Sequence, residues 1–172
     1  MKGGGMRYVV MTMIMILSSA TLSAAHPEGL VGQRDSLHGL SGVQLVVESI
    51  KPDAEGDGFS TNAIQTAAEA ILQSSSIWLL SGPERIRMPS APYLYVNVNT
   101  VNSDRDFYSF SVVTQLNQLV SLLTAEKNKT YATTWSREST GHIRADELPG
   151  IVHFVEEHIK QFADDFLNVN PR

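Results

Sequence analysis

The 172 residues carry 18 acidic against 13 basic side chains, a net charge of −5 with histidine neutral, and no cysteine. An acidic chain without a Lys/Arg block repels phosphate backbones and anionic lipid, which argues against nucleic acid as a partner. The missing thiols exclude disulfides, thiolate catalysis and the lipid-modified cysteine of bacterial lipoproteins.

In chain order, Lys2 and Arg7 precede an apolar run from Tyr8 to Leu17, and Ser18 to Ala25 then supplies small residues ending in Ser23-Ala24-Ala25. This is the layout of a cleavable export signal, too short for a comfortable membrane span. The expectation is a signal peptide at 1–25, a periplasmic or secreted product, and no stable membrane insertion after cleavage. Loss of Lys2 and Arg7 makes the remainder more acidic still. Residues 26–39 are Gly-rich and aperiodic and read as a flexible lead-in. Residues 40–172 suit a single α/β sandwich domain. Asn128-Lys129-Thr130 fits the glycosylation acceptor pattern, which matters only in a host that glycosylates.

Val43, Leu45 and Val47 alternate with Gln44, Val46 and Glu48, which predicts a strand, broken by Pro, Asp and Gly between Lys51 and Gly58. Ser60 or Thr61 caps a helix whose Ile64, Ala67, Ala68, Ile71 and Leu72 share one stripe. Ile77 to Leu80 is a short strand, and three prolines and a glycine make Ser81 to Pro92 an irregular loop. Tyr93 to Val101 alternates cleanly, Asn102 to Asp106 is a turn, and Phe107 to Leu122 is a strand long enough to need a bend or bulge. Thr124 to Lys129 makes a hairpin into a strand over Thr130 to Thr140. Asp146 precedes the last helix, with Pro149 in its first turn and Ile151, Phe154, Val155, Ile159, Phe162 and Phe166 as its stripe. The order β-α-β-β-β-β-α predicts an α+β fold, with two amphipathic helices on one face of a mostly antiparallel sheet of four to five strands.

The candidate chemistry is sparse. Asp53, Glu55, Asp57 and Gly58 imitate the opening of a calcium loop, but its twelfth position is the core residue Ile64, so the reading is a solvated acidic turn. His153 and His158 are five residues apart and diverge by about 140° on a helix, so they do not share a metal; His153 with Glu157 supplies only two ligands. Cleavage after Ala25 exposes His26, whose amine and imidazole could hold copper if His38 or His142 approached. Ser139, His142 and Asp146 are close in sequence, but no glycine-framed nucleophile accompanies them. The polar parity of the meander is the better candidate: Tyr93, Tyr95, Asn97, Asn99, Ser109, Ser111, Gln115 and Asn117 share a face opposite Leu94, Val96, Phe110 and Val112. Trp135 is a further candidate for it, with its own parity unassigned. Aromatic and amide side chains on an open sheet suit partner or ligand binding, and the same pattern serves plain solubility.

The stretches Pro92-Tyr-Leu-Tyr-Val-Asn-Val-Asn99, Ala132-Thr-Thr-Trp-Ser136, Ser139-Thr-Gly141 and Asp165-Phe-Leu-Asn-Val-Asn-Pro171 resemble a family of uncharacterised exported bacterial proteins. More distantly, the element order is similar to small envelope α/β domains such as the N-terminal domain of the Tol-Pal propeller protein and lipoprotein activators of peptidoglycan synthases. By analogy of fold, that resemblance implies an adaptor role. The chain departs from the lipoproteins in lacking the lipidated cysteine. The expectation is therefore an exported, cofactor-free binding or adaptor domain of the bacterial envelope, with an envelope protein or small ligand as partner. The alternatives are an enzyme of unknown class acting on envelope substrates and a copper carrier through His26.

Overall fold

A strand with apolar side chains at every second position must cover one face and can leave the other wet, and this alternation organises the whole molecule. The computed structural model describes residues 32–104 and 106–171; the expected export signal, its cleavage point and His26 lie outside the described residues. Five strands, β1 (Gly42–Val47), β2 (Trp78–Leu79), β3 (Tyr93–Asp104), β4 (Phe107–Leu122) and β5 (Ala125–Arg144), form one sheet in the order β2-β1-β3-β4-β5. β1 is parallel to both of its neighbours, and β3, β4 and β5 form an antiparallel meander. The fold is α+β with a mostly antiparallel open sheet.

Along β4, Tyr108, Phe110, Val112, Thr114, Leu116 and Gln118 are buried, and on β3 so are Leu94, Val96, Val98 and Thr100. Helices α2 (Thr61–Ser74) and α4 (Val152–Val169) cover this side with Ile64, Ala68 and Leu72 from one, and Val155, Ile159, Phe162 and Phe166 from the other. The Ser60 hydroxyl accepts the Ala63 N–H and caps α2. Each large apolar side chain removed from water here contributes about 1.5–3 kcal/mol.

Two short helices occupy segments expected to be irregular. α1 (Pro52–Gly56) begins on its proline, and α3 (Gly82–Arg87) carries Pro83 in its first turn, where a missing N–H breaks no helical bond. At α3 the Ser81 hydroxyl accepts the Glu84 N–H while the Glu84 carboxylate accepts the Ser81 N–H. The Ser81 hydroxyl also donates to this carboxylate at 2.6 Å, and that bond, then the one from the Ser81 N–H, holds the Glu84 carboxyl below its usual pKa. The first hairpin is tighter than Asn102 to Asp106, because β3 continues to Asp104. The second is also tighter than expected: Leu122 pairs with Ala125, so only Leu123 and Thr124 turn, and the hydrophilic stretch after them is strand. Asp146 and Pro149 belong to a 3-10 helix, Ala145–Ile151, that leads into α4.

The folded unit also starts before Leu40. A 3-10 turn at Asp35–Leu37 buries Leu37 completely, the Arg34 guanidinium meets the Asp165 carboxylate at 3.0 Å, and the Gly39 N–H donates to Asn170 Oδ1 at 2.7 Å. Short polar segments are aperiodic whether or not they dock, so composition alone gives no sign of this.

The chain moves outward from β1 to β2 through α2 on the covered side. It then returns past β1 to β3 through α3. Reversing direction while keeping the hand of a parallel crossover requires the opposite side of the sheet, and the Arg85 side chain of α3 indeed reaches Gln44 and Tyr93 there. Where β1 meets β2, an added Cβ on Gly42 would lie 2.2 Å from the Trp78 carbonyl oxygen. Gly42→Ala is expected to cost about 1–3 kcal/mol and to lower the melting temperature by several degrees in a calorimetric scan; an unchanged melt would contradict the β1–β2 pairing.

Candidate binding face

The antiparallel register brings the polar parities of β3 and β4 together: Tyr93 lies opposite Asn117, Tyr95 opposite Gln115, and Asn99 opposite Ser111. Tyr93, Tyr95, Asn97, Gln115 and Asn117 are half-buried by one another, and Asn99 is exposed. Their side chains are tied into rows. Asn99 Nδ2 donates to Asn97 Oδ1, Asn97 Nδ2 donates to the carboxylate of Glu48, the residue just after β1, and the Thr133 hydroxyl donates to Asn117 Oδ1 at 2.9 Å. Held amides keep their remaining donors and acceptors in fixed directions, which lowers the ordering cost of recognition.

One end of this face is built by residues that the sequence reading did not single out. The Arg85 guanidinium donates from Nε to Gln44 Oε1 (2.7 Å), and from one terminal nitrogen to Tyr131 Oη (2.8 Å) and the Ala91 carbonyl (3.1 Å). It also lies over the rings of Tyr93 and Tyr131, at 5.4 and 5.8 Å, and those rings meet edge-on at 5.6 Å. All three of these acceptors are neutral, and among the described residues no carboxylate pairs with the guanidinium at the rim of the face. The Ser81-x-x-Glu84 spacing was the available signal for the helix that delivers it.

Trp135 is not on this face. It is 3% exposed on the helix side, edge-on to Phe162 at 5.2 Å, with Nε1 donating to Asp165 Oδ2 at 3.0 Å. The cause is a bulge. Leu116 pairs with Trp135 but Asn117 pairs with Thr133, so Thr134 is the extra residue and β5 changes parity there. Tyr131 and Thr133 before the bulge, and Ser136, Glu138, Thr140 and His142 after it, lie toward the open side.

The remaining candidates fall into separate places. Ser139 is on the covered side and His142 on the open side, bonded to the Ser109 hydroxyl (3.1 Å), while Asp146 pairs with Arg144, so the three do not converge. Ser139 Oγ instead lies 2.8 Å from His158 Nε2, and His158 Nδ1 lies 3.2 Å from Thr114 Oγ1. The third partner is a buried hydroxyl rather than a carboxylate, so nothing here holds an imidazolium as a catalytic triad would. This is a buried imidazole with both nitrogens satisfied. Burial, then the nearby Arg137 charge, holds the His158 pKa below the ordinary histidine value.

His153 is exposed beside Glu157, at 3.4 Å, well away from His158. Asp57 accepts the Tyr108 hydroxyl at 2.7 Å, a bond that raises the pKa of the phenol and gives the acidic turn a structural task. Among the described residues no group of three or more His, Asp and Glu is placed to hold a metal. A cleft of about 540 Å³ opens between Gln33, Arg34, Trp135, Arg137, Gln161 and Asp165. Asp165 there accepts from Arg34, Trp135 and Gln161.

No protein-family model and no curated protein matches the chain. Among the described residues, no helix is long and apolar enough to cross a membrane.

Below the ordinary histidine pKa of about 6.5, the unfolded chain takes up a proton that folded His158 refuses. Stability is therefore full above that pH and declines as pH falls toward the lower folded value. His158→Gln should flatten this decline in denaturant titrations between pH 7 and 5, and parallel curves for the two proteins would refute the assignment.

Proposed function

We propose that this is an exported, non-enzymatic binding or adaptor domain of the bacterial cell envelope, which takes a protein partner or small ligand on its open sheet face. The observation that carries the reading is the one-sided cover. Both long helices pack on the Leu94/Val112 side, and the other side offers Tyr95, Asn97, Asn99, Gln115 and Asn117 in interlocked rows with Arg85, Tyr93 and Tyr131 at one end. A solvated face needs polarity but has no need of tyrosines stacked around an arginine that has no counter-ion among the described residues. Such aromatic and Arg anchors are the groups that dominate binding energy at interfaces. The signal-like N-terminus and the phrases that resemble exported bacterial proteins support an exported address.

The test is site-specific photo-crosslinking in a bacterial host, with the probe at Asn99 on the open face or at Glu157 on the outer side of α4. A discrete adduct from Asn99 alone is expected. With the probe kept at position 99, the combined Arg85→Ala/Asn97→Ala variant should lose that adduct at least tenfold while staying folded by circular dichroism. Trp135 is left intact because its removal would strip the core and a donor from Asp165. Equal adducts from both positions, or an adduct that survives the folded Arg85→Ala/Asn97→Ala variant, would sink the reading.

A further inference from the structure

We infer that β5 is a dimerisation edge, on which a second copy of this chain pairs antiparallel about a two-fold axis at Thr140. β5 is the last strand of the sheet, and among the described residues no strand pairs with its outer side. The Ser136 N–H, which donates to Gln33 Oε1 at 2.9 Å, points away from β4. Register is unbroken from Ser136 to Arg144, so alternation turns the backbone groups of Glu138, Thr140 and His142 outward as well.

The ends of the available edge are marked. At Ser136 the N–H is already taken by Gln33. At Arg144 the backbone opens the following 3-10 helix, and the guanidinium is engaged by Asp146 and by the Phe107 ring. The open run is therefore 137–143, with Thr140 at its midpoint, and a segment paired with its own copy uses its whole length only when centred there.

That register is also the one the charges favour. It sets Glu138 opposite the partner's His142 and the reverse, and Thr140 opposite the partner's Thr140. Gly141, whose missing Cβ leaves room for the Phe110 ring, lies opposite the partner's Ser139. His142 Nδ1 already faces the Ser109 hydroxyl, so Nε2 is the nitrogen left to donate to the Glu138 carboxylate across the seam. A centre at Glu138 would instead set that carboxylate against its own copy. Charged residues on an edge usually prevent pairing; these are complementary to themselves, which is what an isologous interface requires. About six backbone hydrogen bonds form, the helix layers of both copies stay on one side, and the two sheets become one.

The chain has no cysteine, so a single introduced thiol reports position cleanly. In a hydrogen-bonded antiparallel pair the Cα atoms are about 5.5 Å apart, within disulfide reach. Thr140→Cys should oxidise to a covalent dimer at micromolar concentration, and Glu157→Cys should not. In sedimentation equilibrium, Glu138→Lys should weaken dimerisation about tenfold or more, and Glu138→Lys/His142→Glu should restore it. A protein that stays monomeric at hundreds of micromolar, a dimer indifferent to Glu138→Lys, or equal crosslinking at both thiols would each overturn the inference.

Discussion

A carboxylate moved out of water must be met by donors or it destabilises the fold by several kcal/mol, and the rest of this structure is arranged around one such group. Asp165 on α4 is 8% exposed and accepts from Trp135 of β5, from Arg34 of the N-terminal segment and from Gln161 one turn earlier on its own helix. Three parts of the chain are thereby held in one relative position. The tryptophan fixes where α4 sits along the sheet, Phe162 packs against its ring, and the N-terminal segment is drawn across the edge strand at the height of Ser136. Since α4 is committed to one side with α2, neither long helix covers the opposite side of β3 and β4.

Much of this was legible from periodicity. The stripes of α2 and α4 and the alternation of β3 and β4 are long, regular signals, and burial follows them residue by residue. What was hidden is local chemistry that competes with the pattern. Proline was read as a breaker in both short helices, although at a first turn it breaks nothing. The polar run after Leu122 was read as a turn, yet a sheet with one wet face accepts polar strands.

The candidate site was legible to the same degree. Tyr93, Tyr95, Asn97, Asn99, Gln115 and Asn117 share one face because two strands with unbroken alternation were paired in register. Trp135 was lost to a single inserted residue, Thr134, whose side chain instead accepts from Gln118 Nε2 (2.8 Å) on the covered side. A bulge leaves no mark in hydrophobic periodicity when the strand around it is mostly Thr and Ser. Arg85, Gln44 and Tyr131 come from three distant segments, and only the crossover of α3 brings them together.

The latch between the two ends of the domain governs the order in which it can assemble. The meander β3–β4–β5 is built from neighbours in sequence, so its pairing closes short loops and can form early. β1 waits for β3 across both crossovers. The stretch before it waits longer, because Gly39 and Leu37 are held by Asn170 and Arg34 by Asp165, near the far end of the chain. A molecule emerging amino-terminus first therefore keeps residues 34–39 unlatched until α4 has arrived, so this part of the fold closes last.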